Sequence, residues 1–511
     1  MTRGTAIRAM IMGMTVMVLT AGSSFNADAK TPKNNSADLE KGRKIVIVHT
    51  NDLHGNIEPD SKNRGGLTRI ASLIKKIRTE NPGKVIYFDC GDVAQGTPVS
   101  NLFHGEPMYK SLSYMAPVAG TLGNHEYDWG MDVQKKMLSN ANYPILVANV
   151  VNSKGQNPYK PYMITKINGV KIGVIGLIAQ DIPGLVKKGN TADLKFLDPA
   201  ETCLKYIPKM YKDGAEMIVA VSHCGVDTDK ITAEKVPAID LIVGGHSHTK
   251  LDKAINVGGH TWIVQADHYG RYLGQIEMHV NPYNGKIYDF DYKLIPVDKS
   301  CTIEADPTVA AIAKKYNDQV RPLMEKVVGS LKDDLSISNA EGQYDSSLGN
   351  AICDAMRKES GADIAVYNWG GIRLENISAG EVKLDTLFRL LPFDDPVVVI
   401  KVKGKDLIDL FTQSIRMTET GPLQASGVEM VADGNTKEVI SLKVNGKDVD
   451  PEADYTVATT EFLSKGGDNY SALGRGETTK TIGITRDVFV DYLKGFDSMP
   501  APATGRLIIK K

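Results

Sequence analysis

Four short apolar runs in this chain are each followed, within a few residues, by an aspartate or a histidine. Lys44 to Val48 leads to Asp52 and His54, Val85 to Phe88 to Asp92, Met217 to Val221 to His223, and Leu241 to Val243 to His246 and His248. A fifth stretch, Gly123-Asn124-His125-Glu126-Tyr127-Asp128, adds an amide, an imidazole and carboxylates. Together these groups offer nitrogen and oxygen donors and no thiolate, a set that suits zinc, manganese, cobalt or iron better than calcium or copper(I). Taken singly, an aspartate or histidine after a strand is more often a turn residue or a helix cap. Taken jointly, at the strand ends where open α/β sheets place their ligands, the same residues point to a metal centre.

The elements that must position them alternate in type. From Lys44 onward, short runs rich in valine and isoleucine, among them Ile145 to Val147 and Ile172 to Ile178, are separated by amphipathic stretches such as Leu67 to Arg78. This is the pattern of strands alternating with helices. Gly65 and Gly66 serve the loop before that first helix. From Asp306 to Met324, Val309, Ile312, Ala313, Tyr316 and Val320 recur at helical spacing and predict one long helix. A second α/β region follows, with a helix around Leu348 to Lys358 and strands at Val397 to Val402 and Tyr455 to Ala458. All ten histidines fall between His49 and His279, so imidazole chemistry belongs to the first region.

The quoted motifs, Asp-x-His-Gly at 52–55, Gly-Asp at 91–92, Gly-Asn-His-Glu at 123–126 and Gly-His-x-His at 245–248, look like the metallophosphoesterase signature, and their order resembles that of the 5'-nucleotidase family. The resemblance implies a four-layer α/β/β/α domain joined by a linker helix to a smaller α/β domain. It implies that Asp52, His54, Asp92 and His248 hold one divalent ion and Asp92, Asn124, His223 and His246 a second, with Asp92 shared. Sharing one carboxylate keeps two ions roughly 3.5–4 Å apart, close enough to act together on a phosphoryl group. Zinc, manganese or cobalt are the expected ions. It further implies that His125 is catalytic and that Asp128, three residues on, accepts from its other ring nitrogen, fixing the tautomer. His49, His104, His260, His268 and His279 have no motif and are read as structural, as are Cys90 and Cys224 beside the ligands.

In the second region the same resemblance carries over to Asn368-Trp369-Gly370-Gly371-Ile372-Arg373, Leu391-Pro392-Phe393, and Phe462 with Lys465-Gly466-Gly467-Asp468. It gives Phe393 and Phe462 as a base clamp, Asp468 for the ribose, Arg373 for phosphate or ribose, and Asn368 for the base side. Stacking tolerates any base, which predicts breadth. A phenylalanine in such settings is otherwise a core residue. Two positions depart from the family pattern: Trp369 replaces a small glycine, and Ser347 stands where several relatives carry arginine. Loss of a bidentate guanidinium weakens the grip on phosphate.

Length and composition frame these readings. At 511 residues the chain exceeds one ordinary core. With 60 lysines and arginines against 61 acidic residues, no global field favours polymeric nucleic acid or an anionic membrane. Arg3 and Arg8 precede an apolar stretch from Ala9 to about Ala21, and Ala27-Asp28-Ala29 offers a small-x-small cleavage site. These are the parts of a signal peptide, too short for a permanent anchor. The expected organisation is a signal peptide over 1–29, a flexible leader over 30–43, the metal-binding domain over 44–300, a linker helix over 301–328 and a nucleotide-binding domain over 329–511. The destination is the periplasm or the medium. Five unevenly spaced cysteines argue against a disulfide framework and leave at least one thiol free, with one bridge open.

The expected activity is hydrolysis of nucleoside 5'-monophosphates, extending to UDP-sugars or other nucleotides, with the second domain presenting substrate to the first. The alternatives are a 2',3'-cyclic-nucleotide phosphodiesterase with 3'-nucleotidase activity or a nucleotide diphosphatase on the same scaffold. From a different class, a non-catalytic secreted nucleotide-binding protein is weighed against them; an intact His125 and Asp128 pair speaks for catalysis. The sequence leaves the oligomeric state open.

Overall fold

In Arg43–Thr50, Ile45 and Ile47 occupy one face and Val46 and Val48 the other, and all four are buried. A strand buried on both faces belongs inside a layered stack. In the computed structural model, which describes residues 42–510 apart from 188, 282, 339–341 and 418–421, it is the centre of a five-stranded sheet. Val85–Asp89 and then Ala119–Gly120 lie parallel to it on one side, and Tyr272–Val280 and Ile287–Pro296 are antiparallel on the other. A six-stranded sheet runs in the order Ile255–Val257, Thr261–Val264, Leu241–Val243, Met217–His223, Val170–Ile178, Tyr162–Ile167.

The two sheets share one apolar core. Ile45, Ile47, Ile86, Phe88 and Met278 from the first meet Val174, Val219, Val221 and Val243 from the second. The opposite face of the second sheet, with Ile175, Leu177, Ile218 and Ala220, packs on Cys203, Ile207 and Met210 of helix Pro199–Lys212 and on Ala233 of helix Val226–Lys235. Helix Leu67–Glu80 buries Leu67, Ile70, Leu73, Ile74 and Ile77 at helical spacing and contacts Val85–Asp89. The result is the four-layer α/β/β/α arrangement. Arg43–Thr50, Val85–Asp89 and Ala119–Gly120 in one sheet, and Met217–His223 and Leu241–Val243 in the other, deliver their C-terminal loops to the candidate site.

The described chain forms two compact units. One holds the residues up to Gln95, Phe103–Ile182 and Thr191–Lys315, and the other holds Gly96–Leu102, Pro183–Asn190 and Tyr316 onward. The division falls within helix Pro307–Met324. That helix is capped by Asp306, whose Oδ1 accepts from Thr308 N at 2.9 Å and Val309 N at 3.2 Å, and it buries Val309, Ala313, Tyr316 and Val320.

In the second unit a five-stranded sheet runs Gln424–Ser426, Ile364–Tyr367, Asp454–Thr460, Pro396–Lys403, Glu477–Ile484. Val397, Val399 and Ala458 pack beneath helix Ser347–Ser360, and Val398, Ile400 and Val457 beneath helix Gly404–Arg416. The Ser347–Ser360 helix begins at Ser346, whose Oγ accepts from Gly349 N at 3.0 Å, and ends at Gly361 with φ 72°, the left-handed stop that glycine allows without a Cβ clash. A four-stranded sheet, Lys447–Asp448, Glu438–Val444, Val428–Asp433, Leu507–Lys510, completes the unit.

One sequence expectation resolves differently in detail. The run at Ile145 to Val147 makes only isolated bridges, Gly120 to Ile145 and Leu146 to Lys160, rather than a strand. All five cysteines are free thiols, and all but Cys301 are buried. The signal peptide at 1–29 and nearly all of the leader lie outside the described residues. Among the described residues no helix is long and apolar enough to cross a membrane.

Candidate active site

The loops after the parallel strands of the first unit bring three groups of metal-binding side chains together: Asp52, His54 and His248; His54, Asp92 and His125; and Asp92, His223 and His246. Asp92 stands between the others. Its Oδ2 is 3.2 Å from His223 Nε2, 3.7 Å from His54 Nε2 and 3.9 Å from His125 Nε2, while its Oδ1 accepts from His125 N at 2.9 Å. Asp52 Oδ1 lies 3.3 Å from His248 Nε2, and Asn124 Oδ1 lies 3.0 Å from His246 Nδ1. Every candidate ligand named from the sequence is therefore in the cluster.

The backbone that carries these groups is unusual. Asp52, His54, Asp92, His246 and His248 all have φ between 46° and 79°, a region in which each non-glycine residue costs of order 1–3 kcal/mol. Such strain persists only where the surroundings fix it. Glu126 does much of the fixing: its buried carboxylate accepts from Asp92 N at 2.9 Å, Val93 N at 2.8 Å and Gly123 N at 2.7 Å. Gly123 itself is needed for room, since a Cβ there would come within 2.1 Å of Asp92 Oδ1.

Outer groups orient the rings. His54 Nδ1 meets Gln95 O at 2.9 Å and His223 Nδ1 meets Cys90 O at 2.6 Å, so each directs Nε2 into the centre. Asn51 Nδ2 donates to Asp52 Oδ2 at 2.6 Å. Asn51, Gln95 and Glu126 carry no ligand motif; only Glu126, inside Gly-Asn-His-Glu, could have been suspected from its place in the sequence.

The residues fit divalent ions. His223 Nε2 is fully buried and has no hydrogen-bond partner. Burial would lower the His223 imidazole, yet the Asp92 and Asp52 carboxylates push it up to about 10. Burial would likewise raise Asp92, but His223 and His125 hold it well below the usual carboxylate range. Two buried carboxylates among imidazoles thus draw positive charge into the centre, which bound cations supply.

His125 sits at the edge of the cluster. Its Nδ1 is 2.7 Å from Asp128 Oδ2, and its Nε2 is the farthest of the three imidazoles from Asp92 Oδ2. His104 packs edge-on to Trp129 at 5.2 Å, and His260 Nδ1 pairs with Thr261 Oγ1 at 2.8 Å. His49 is stacked on Tyr292 and buried without a hydrogen-bond partner, and burial lowers it to about 3, so it stays neutral. His268 stacks on His248, a contact no motif announces.

In the second unit Asn368 Nδ2 donates to Asp468 Oδ2 at 2.7 Å, and the Arg373 guanidinium lies 5.9 Å from the centre of the Phe393 ring. Phe462 is partly buried and lies against Gly467, where a Cβ would come within 2.6 Å of its ring. Asp468 takes a left-handed conformation, φ 50°. Ser347 has a different occupation: its Oγ accepts from Ser336 N at 2.9 Å and donates to Ser336 O at 3.2 Å, holding strand Leu335–Ser336 to the helix start.

A two-sheet sandwich with metal-binding loops at its parallel strand ends defines a calcineurin-like phosphoesterase, and that family matches residues 45–250; the 5'-nucleotidase C-terminal domain family matches residues 327–475. The chain is 28% identical to protein UshA of Yersinia enterocolitica, over 91% of this chain and 93% of that protein, and 29% identical to a 5'-nucleotidase of Vibrio cholerae, over 89% and 91%. It is similar in structure to the 5'-nucleotidase precursor of Thermus thermophilus, with a TM-score of 0.83 at 27% identity, covering 91% of this chain and 99% of that one. The chain thus combines a calcineurin-like phosphoesterase domain with a 5'-nucleotidase C-terminal domain and is a metal-dependent phosphoester hydrolase.

Proposed function

We propose that the protein hydrolyses nucleoside 5'-monophosphates to nucleosides and phosphate, and that the residues divide this work between the two units. The observation that carries the reading is the juxtaposition, in one buried centre, of the two carboxylates, four imidazoles and Asn124 with a separately held His125 and Asp128 pair. Asp52, His54, Asp92 and His248 hold one ion, and Asp92, Asn124, His223 and His246 the other. When bound, the ions supply the charge that polarises the phosphoryl oxygens and activates water. Zinc, manganese and cobalt suit this donor set.

Asp128 accepts from His125 Nδ1 and orients the ring, so that Nε2, when protonated, donates to a phosphoryl oxygen or to the departing 5'-oxygen. In the second unit Asp468 accepts from ribose hydroxyls, with Asn368 holding its carboxylate. Phe393 and Phe462 stack on the base. Arg373 supplies the guanidinium for phosphate or ribose, a role Ser347 does not share because its hydroxyl is spent on Ser336. We read 44–300 as the metal-binding domain, 301–328 as the linker helix and 329–511 as the nucleotide-binding domain. We further propose a signal peptide cleaved near Ala29 and a periplasmic or secreted destination.

Chromatographic analysis of the products formed from a panel of AMP, UDP-glucose, ADP, ATP and 2',3'-cyclic AMP, on protein reconstituted with a single metal, tests the substrate class. The reading predicts that AMP is turned over with the highest kcat/KM. A clear preference for the cyclic diester would replace it.

A further inference from the structure

His248 is held differently from its neighbours. The second ring nitrogen of His54 is fixed by Gln95 O and that of His223 by Cys90 O. His248 turns Nε2 to Asp52 Oδ1 at 3.3 Å and to His54 Nε2 at 3.1 Å, but among the described residues no hydrogen bond restrains its Nδ1. A ring anchored at one atom can swing. What lies against it is the face of another imidazole: the His268 ring is nearly parallel to that of His248, at 21°, with centroids 4.6 Å apart.

The loop that presents His268 is built to hold it there. Asp267 and Tyr269, on either side, have φ of 59° and 58°, left-handed conformations that need outside support. The support comes from the ligand loop itself. Asn51 Nδ2 donates to Asp267 O at 2.6 Å, Ala266 N donates to Asn51 Oδ1 at 2.9 Å, and Tyr269 N donates to Asp52 O at 2.7 Å. The Tyr269 ring then stands edge-on to His268 at 4.2 Å and to His54 at 5.5 Å. Asp267 Oδ1 lies 2.7 Å from His268 Nδ1, though without hydrogen-bond geometry, so the ring is set by packing more than by that contact. Three hydrogen bonds and two strained residues thus place one flat ring against a metal-facing imidazole whose Nδ1 no hydrogen bond restrains among the described residues.

We propose that His268 is a positioning residue: its ring is the backstop for His248, and it sets the affinity of the ion held by Asp52, His54 and His248 without touching that ion. The proposal rests on the reading of His248 as a ligand. Flatness, not basicity, is the property required, so another planar ring of similar size serves the purpose.

The test is calorimetric titration of manganese into the metal-stripped full-length protein, comparing wild type with His268→Ala, His268→Phe and His248→Ala. Outer groups of this kind change metal affinity by about 10–100-fold. The expected result is that His268→Ala weakens one of two binding steps by about that factor and leaves the other unchanged, while His268→Phe keeps both steps near wild type. His248→Ala should weaken the same step further. The proposal is overturned if His268→Ala binds both ions as wild type does, if it weakens both steps equally, or if His268→Phe is no better than His268→Ala. If His248→Ala leaves both steps intact, the ligand reading itself fails, a result distinct from failure of the His268 contact alone.

Discussion

The two units hold their candidate functional side chains differently. In the first, Asp52, His54, Asp92 and His223 are almost fully buried, and several sit on strained backbone held by Glu126 and Asn51. In the second, Arg373, Phe393 and Phe462 are only half-buried, while Asn368 and Asp468 are buried and joined by a hydrogen bond, with Asp468 on left-handed backbone. The difference matches what each is proposed to grip. A divalent ion demands fixed distances to several atoms, whereas a base and ribose demand a flat surface and one or two polar contacts. Among the buried carboxyls, imidazoles hold Asp52 and Asp92 low, whereas burial raises Asp89, Glu126 and Asp229 in the first unit and pushes Asp395 of the second up to about 7.

If the first unit does the chemistry, the largest effects lie there. Asp92→Ala, which removes the carboxylate between both ligand groups, should abolish both manganese-binding steps and reduce AMP turnover to background, read by calorimetry and phosphate release. Retention of one tight step would break the bridging assignment. His125→Ala should lower kcat by about 10²–10⁴-fold with metal content unchanged. Equal loss of metal would make His125 a ligand instead and redraw the boundary between binding and catalysis.

The second unit should register in KM. Phe462→Ala removes one stacking face, worth about 1–3 kcal/mol, or roughly fivefold to 150-fold. The steady-state signature is a raised KM for AMP with kcat for a simple aryl phosphate unaffected. A fall in aryl phosphate turnover as well would show that the two regions are not functionally separable.

The smallest effect concerns stability. Asp395 accepts from Phe462 N, at 3.2 Å to each carboxylate oxygen, but burial outweighs these bonds and raises its folded pKa from 3.8 to about 7. A raised carboxyl pKa means the native state prefers the neutral form. The stability gained from that form is complete below about pH 4 and is lost as pH rises toward 7. Asp395→Asn, neutral throughout, should therefore gain in melting temperature relative to wild type between about pH 4 and 7, and track it below. A difference independent of pH would remove Asp395 as a titrating group.

The same contrast explains what could be read from the sequence. The candidate metal ligands were legible because most of them stand at or just past the end of a valine-rich run, and strand ends are a local feature. The layered fold was legible from alternating valine-rich runs and amphipathic helices. Contacts made by folding were not. Asn368 and Asp468 are 100 residues apart, and no spacing announces their bond. His268 reaches His248 only because the 266–269 loop docks on Asn51 and Asp52, more than two hundred residues earlier in the chain. Ser347, conspicuous as a missing arginine, is explained by Ser336, which no motif includes. The run at Ile145 to Val147 reads as a strand because Leu146 and Val147 are buried, but it has no full ladder.

The most direct test of the account is phosphate release from AMP by metal-stripped protein, measured before and after a single divalent ion is restored. The account predicts no release when stripped and recovery with zinc, manganese or cobalt. Turnover that survives stripping, or AMP that binds without any release once each ion is restored, would contradict it.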